Sequence, residues 1–179
     1  MKLELLFEKL GVAYDYSAVL CTVPESIGNI VKKWGLEHIS DDKVFEDNEG
    51  KLGREDDTHI TVKYGLHDPK ETDCVDILKY QRPFEVELGK ISLFKNNPRF
   101  DVVKVEIFSS NLFMLNAKLS KLPNTDSYPE YKPHMTIAYV KRGSCDDLEG
   151  REDFKDIRFL ANDFIFSSRE NFKIKITLR

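Results

Sequence analysis

His59-Ile60-Thr61-Val62 and, 75 residues later, His134-Met135-Thr136-Ile137 repeat one pattern: histidine, apolar, threonine, apolar. Successive side chains on a β-strand point to opposite faces. His59 and Thr61 therefore share one face and Ile60 and Val62 the other, and His134 and Thr136 part from Met135 and Ile137 in the same way. Each stretch reads as a strand with an apolar face for a core and a face that carries an imidazole beside a hydroxyl. The chain has only four histidines, and two of them stand in this setting.

Around the two motif strands, 58–65 and 134–140, the remaining pattern reads as an alternation of strands and helices. Residues 1–12 suit a short amphipathic helix ending at Gly11. Tyr14–Val23 is rich in β-formers, and Pro24 then opens a helix to Trp34, with Gly35 as its stop. Pro69–Tyr80 is helical by pattern, with Val75, Ile77 and Leu78 as its buried stripe. Phe84–Phe94 and Val102–Phe108 read as strands separated by a turn at Asn96-Asn97-Pro98. Asn111–Leu122 places Leu112, Leu115 and Leu119 on one helical face. A loop with Pro123, Pro129 and Pro133 leads into the second motif. Asp146–Phe154 is a further helix candidate, and strands at Phe159–Ser167 and Phe172–Leu178 close the chain. The order strand, helix, motif strand occurs in both halves. It predicts one α+β domain over residues 1–179, two-lobed and pseudo-twofold, with the motif strands facing across a groove.

With 179 residues, one core of ordinary size is expected. No apolar run approaches the ~20 residues of a membrane span. Glu4 and Glu8 interrupt the N-terminal apolar stretch, unlike a signal peptide. Three widely spaced cysteines without a Cys-x-x-Cys suit a reduced, cytoplasmic setting. The net charge of −4 is uneven: Asp41–Asp57 holds eight acids against three bases, which leaves +1 for the rest. That stretch reads as an acidic flexible loop and a movable flap before the first motif. A protein that tracks a long polyanion carries a basic excess. The expected ligand is instead a small nucleotide or a short oligonucleotide, with no long nucleic acid and no membrane. A monomer is expected.

The paired His-x-Thr-x motifs, their spacing and the proline in Pro133-His134-Met135-Thr136-Ile137-Ala138 resemble the two-histidine (2H) phosphoesterase superfamily. That group includes 2',3'-cyclic nucleotide phosphodiesterases, bacterial RNA 2'-5' ligase-like enzymes, and enzymes that degrade 2'-5' oligoadenylate or cyclic dinucleotides. The resemblance spans Tyr14 to Leu178 and implies the same two-lobed α+β fold, with pseudo-twofold related antiparallel sheets forming a central groove, helices outside and both histidines facing the groove.

The residues themselves point the same way. Cutting a phosphodiester requires a base for the attacking hydroxyl or water and an acid for the departing oxygen. Imidazoles titrate near pH ~6.5, so one is able to be neutral while its partner is protonated. His59 and His134 are the candidate acid–base pair, and the sequence leaves open which is which. Thr61 and Thr136 would donate to non-bridging phosphate oxygens, and the resemblance implies the same four roles. Lys63 falls on the same face as His59 and Thr61 if the strand continues, and would complement phosphate charge, with a solvated lysine at the strand end as the other reading. Ala138, its counterpart, is small and would leave room for ligand. Tyr128 and Tyr131 are candidates for stacking on a base, against ordinary packing as the default. His38 and His67 read as structural or solvent-facing. Threonine is a poor metal ligand and no third His or Cys lies at ligand spacing, so no metal or other cofactor is expected. The leading expectation is a metal-independent phosphodiesterase acting on a 2',3'-cyclic phosphate, a 2'-5' linkage or a cyclic nucleotide. Two alternatives stay open: a non-catalytic nucleotide-binding or scaffold domain with the same pocket, and an RNA-end-processing 2'-5' ligase-like enzyme.

Overall fold

The computed structural model describes residues 2–6, 15–47, 52–67, 69–126, 130–170 and 172–179, with the backbone alone for 2–6. The elements are β1 (Lys2–Leu6), β2 (Ser17–Thr22), α1 (Glu25–His38), β3 (His59–Leu66), α2 (Glu71–Leu78), β4 (Phe84–Phe94), β5 (Phe100–Phe108), α3 (Ser110–Leu119), β6 (His134–Lys141), β7 (Arg158–Ala161), β8 (Asp163–Ser167) and β9 (Lys173–Thr177). The strands form two antiparallel sheets, β1-β9-β8-β2-β3 and β6-β5-β4-β7. Each motif strand is thus the edge of its own sheet, and β3 and β6 pack against one another. The strand–helix–strand units β2-α1-β3 and β5-α3-β6 occupy equivalent places in the two sheets, which is the pseudo-twofold arrangement. No helix among the described residues is long and apolar enough to cross a membrane.

An edge strand leaves a row of backbone groups to satisfy. Along β6 the acidic segment does this. Phe45 N–H donates to Tyr139 O (2.9 Å), Glu55 N–H to Ile137 O (3.0 Å), and Tyr139 N–H to Gly53 O (2.8 Å). Arg54 ties the same segment to α1, donating to Gly35 O (3.1 Å), Ile39 O (2.6 Å) and the Asp41 carboxylate (2.7 Å). The described parts of the stretch, 41–47 and 52–57, are therefore pinned cover for β6, a correction to the expectation of a free flap. Along β3 the edge is met by Tyr131 Oη, which donates to Thr61 O (3.1 Å), and by Asn116 Nδ2, which donates to Val62 O (2.8 Å).

The helices cross over. α1, from the first half, packs on β6, and α3, from the second, packs on β3. The α1 contact explains why Gly35 does not end the helix: a Cβ there would meet Ile137 Cγ2 at 2.7 Å. The glycine serves close approach, and the helix continues to His38, where Ile39 turns extended. Three further expectations are corrected. Residues 2–6 form a strand paired with β9, since Lys2-Leu3-Glu4-Leu5 alternates with a period of two. Phe159–Ser167 is two strands: β7 pairs with β4, and after Asn162 the chain enters the other sheet as β8. Of Asp146–Phe154 only Asp146–Leu148 is helical, as a single 3-10 turn.

Gly65 closes β3 at φ +90°, and a Cβ there would overlap the carbonyl oxygen of Thr125. Gly143 has φ +72° but open space around it. Gly65→Ala is expected to cost on the order of 3 kcal/mol, from left-handed strain plus overlap with backbone. Gly143→Ala meets the strain alone and is expected to cost about 1 kcal/mol. Urea unfolding of the two variants measures the difference, and equal losses would contradict the close approach at Gly65.

Candidate active site

Each motif strand carries a β-bulge at the same place. Thr61 lies opposite Leu20 but Lys63 opposite Val19, so Val62 is the extra residue. Thr136 lies opposite Lys104 but Ala138 opposite Val103, so Ile137 is extra. A bulge breaks strict alternation. Beyond it, Lys63 and Ala138 turn to the core side, and Tyr64 and Tyr139 join the face of the histidines and threonines. Lys63 is accordingly 3% exposed and ion-paired with Asp126. This corrects the expectation that it lines the groove. Ala138 is fully buried in the core and leaves no room there for ligand.

The two strands run antiparallel across the groove. Chain just before β3, at Gly53 and Glu55, bonds to the far half of β6, and chain just before β6, at Tyr131, bonds to β3 at Thr61. The histidines consequently meet in the middle, close enough that charge on His59 disfavours charge on His134. Both are half-buried, as are Thr61 and Thr136.

Each imidazole is held by the carbonyl two residues before it. His59 Nδ1 lies 2.6 Å from Asp57 O, and His134 Nδ1 lies 2.7 Å from Lys132 O. A carbonyl only accepts, so Nδ1 carries the proton in both rings and Nε2 is the nitrogen left for exchange. The hydroxyls of Thr61 and Thr136 have no partner among the described residues. The arrangement supplies two proton-transfer nitrogens and two free hydroxyl donors on one face.

The two rings differ in surroundings. Burial pushes His134 down to about 4, with the Lys104 ammonium and His59 adding to the effect against the Lys132 carbonyl. Phe94 meets the His134 ring edge-on at 4.9 Å, and Lys104 Nζ sits 4.3 Å over the Phe94 ring. Beside His59 lies Glu55, whose carboxyl is raised by burial, with charge on His59 and the Asp57 N–H pulling the other way.

The structure brings together His59, Thr61, His134 and Thr136. Tyr131 packs against the core and edge-on to Phe113 at 5.4 Å, with its hydroxyl on Thr61 O, so its ring braces β3 and α3 instead of offering a stacking platform. Tyr128 lies outside the described residues. His38 donates from Nδ1 to Trp34 O (2.9 Å) and stacks on Trp34, and His67 contacts Thr125 Oγ1 (2.6 Å) and stacks on Tyr16. Sequence reasoning missed Glu55, Phe94 and Lys104. Only Lys104 had a visible signal, a lone lysine between valines in a core strand.

The model of the 2'-5' RNA ligase superfamily matches residues 24–171. No curated protein matches the chain in sequence. Among solved structures, E. coli LigT complexed with 3'-AMP is similar at TM-score 0.65 and 14% identity, over 91% of this chain and 97% of LigT. A structure described as a phosphoesterase gives 0.62 and 14%, over 91% and 98%. A protein of Thermus thermophilus gives 0.57 and 13%, over 92% and 95%.

The His134 environment sets a pH dependence. Unfolded His134 takes up its proton near pH ~6.5, folded His134 only near about 4. Between these values the unfolded chain binds the extra proton, so stability is full above ~6.5 and drains as pH falls toward 4, by on the order of 3 kcal/mol. Ring NMR should show one histidine titrating near 4. His134→Gln should lose less stability than the wild type between pH 7 and 4.5 in urea unfolding; equal losses would refute the assignment.

Proposed function

The chain belongs to the 2'-5' RNA ligase superfamily of two-histidine phosphoesterases, and on that premise we propose that it is a metal-independent phosphodiesterase of a small nucleotide or short oligonucleotide. The observation that carries the reading is the pair of imidazoles, each fixed through Nδ1 with Nε2 left for exchange, beside two hydroxyls without partners among the described residues. The linkage is a 2',3'-cyclic phosphate, a 2'-5' bond or a cyclic nucleotide. That E. coli LigT has been solved with 3'-AMP, phosphate, ATP and NADP+ supports a nucleotide-sized ligand.

His134, held neutral, takes the proton of the attacking water or ribose hydroxyl on Nε2. His59, beside the Glu55 carboxyl, gives its Nε2 proton to the departing oxygen. The two steps leave each ring in the other's starting state, and proton exchange with solvent resets them. Positioned acid–base groups of this kind contribute roughly 10²–10⁴-fold in rate. Thr61 and Thr136 donate to the non-bridging oxygens as charge builds there.

The test is a product screen by mass spectrometry on 2',3'-cyclic mononucleotides, 2'-5' oligoadenylate, cyclic dinucleotides and cyclic-ended RNA. On the substrate found, His59→Ala and His134→Ala should each remove most turnover with the fold intact. Thr61→Ala and Thr136→Ala should cost less, on the order of 10–10³-fold, since each removes a donor and not a proton carrier. Undiminished turnover by His134→Ala would sink the proposal.

Metal independence is tested on the same substrate. Activity should survive excess EDTA; loss on chelation with recovery by one divalent metal would replace the two-histidine mechanism with a metal-assisted one.

A further inference from the structure

The pseudo-twofold axis relates the surroundings of the two motifs, and at one place they differ in kind. Opposite Thr61 on the neighbouring strand stands Leu20, and opposite Leu20 stands Ile165. The equivalent positions beside Thr136 are Lys104 and then Ser92. One wall of the groove is apolar here; the other carries a lysine and a hydroxyl. Lys104 is 4% exposed, its Nζ donates to Ser92 Oγ at 2.6 Å, and Phe94 covers it. No carboxylate among the described residues lies within ion-pair distance of it.

A buried ammonium without a paired anion is costly, and a chain that keeps one ordinarily has a partner for it. The charged groups that face Lys104 are Glu106 on its own strand, Lys90 on β4, Lys132 before β6, and Glu149. Lys132 and Glu149 are engaged with Glu130 and Lys95. Glu106 lies opposite His134, which also faces His59. Directly opposed residues on antiparallel strands have Cβ atoms roughly 4.5–5.5 Å apart. Lys104 Nζ leans to Ser92, on the flank away from Thr136, so meeting an oxygen held by the Thr136 hydroxyl requires the lysine to change rotamer.

We propose that Lys104 is a positioning residue of this site: its buried ammonium, on the groove wall across from Thr136, takes the substrate's phosphate as its counter-charge. The inference rests on the reading of the groove as a phosphodiester site. Before substrate binds, the same positive charge opposes protonation of His134 and keeps that ring ready as the base. After binding, phosphate and ammonium neutralise one another beside Thr136, which fixes the anion on the His134 side of the groove.

The test uses the full chain and inorganic phosphate as the probe. Lys104→Met keeps the side chain's length and removes its charge in a mostly apolar setting. Three results are expected together: unfolding stability equal to or above the wild type, phosphate binding weakened by tenfold or more, and His134 titrating at higher pH in ring NMR. Lys104→Arg should retain most phosphate affinity. Lys132→Met, which removes an exposed lysine, should lose less affinity, and its loss should vanish at high salt while that of Lys104→Met persists. A Lys104→Met chain that is destabilised or unfolded marks a structural lysine and overturns the proposal. So does a folded one with phosphate binding and His134 titration unchanged. Neither readout needs turnover, so a failed substrate screen would count against the proposed reaction and leave this inference standing on its own measurements.

Discussion

Two sheet edges meet in this fold, and the bulge in each is the constraint from which the site follows. A regular strand alternates without exception, so a residue five places after a histidine would face the core. The extra residues, Val62 and Ile137, each follow the motif threonine and shift the phase once. The histidine, the threonine and a tyrosine then share one face, and the residues between them, Ile60 and Val62 or Met135 and Ile137, remain buried. Burying such side chains contributes roughly 1.5–3 kcal/mol each. The core and the groove are thus specified by the same eight-residue strands, and a register slip that spoiled one would spoil the other.

Edges are hazardous because their backbone groups invite another strand. Here each is closed by chain from elsewhere, and the closure has a second effect. The carbonyls that hold the imidazoles belong to Asp57 and Lys132, in the segments that lead from the edge cover into each strand. Pinning Gly53, Arg54 and Glu55 on β6, and Tyr131 on β3, fixes where those segments enter. The crossed helices reinforce the arrangement: Gly35 of α1 presses on Ile137, and Asn116 of α3 binds Val62 O. Each helix braces the bulged residue of the opposite half, so the two motif strands hold one another's geometry.

Period and motif were legible in the sequence. The strands at Phe84–Phe94 and Val102–Phe108 have the expected positions, and His59, Thr61, His134 and Thr136 fall on one face as alternation requires. What the sequence hid was hidden for physical reasons. A bulge depends on pairing with a distant strand, so nothing local in Thr61-Val62-Lys63 reveals that Lys63 turns inward to Asp126. Gly35 carries the ordinary signal of a helix stop, and only contact with Ile137, about a hundred residues on, shows it to be a packing glycine. Phe159–Ser167 carries only Asn162-Asp163 as a break signal, and the change of partner from β4 to β2 and β9 depends on pairing with distant strands. Tyr131 precedes the second motif as a stacking residue would, yet its hydroxyl is taken by a carbonyl across the groove.

Acid–base chemistry sets a demand that a symmetric site cannot meet. Two identical imidazoles, related by an axis, would titrate alike, and one would have to be charged by chance while the other was not. The two halves of this groove break that equivalence with few substitutions. Lys104 and Ser92 stand where Leu20 and Ile165 stand, and Glu55 lies beside His59, while His134 has Phe94 and an ammonium for neighbours. Burial and the Lys104 ammonium oppose charge on His134, while the carboxyl beside His59 is itself raised by burial, so the two rings stand in unlike surroundings. The fold supplies the symmetric pair, and the wall residues on the neighbouring strands make its members different.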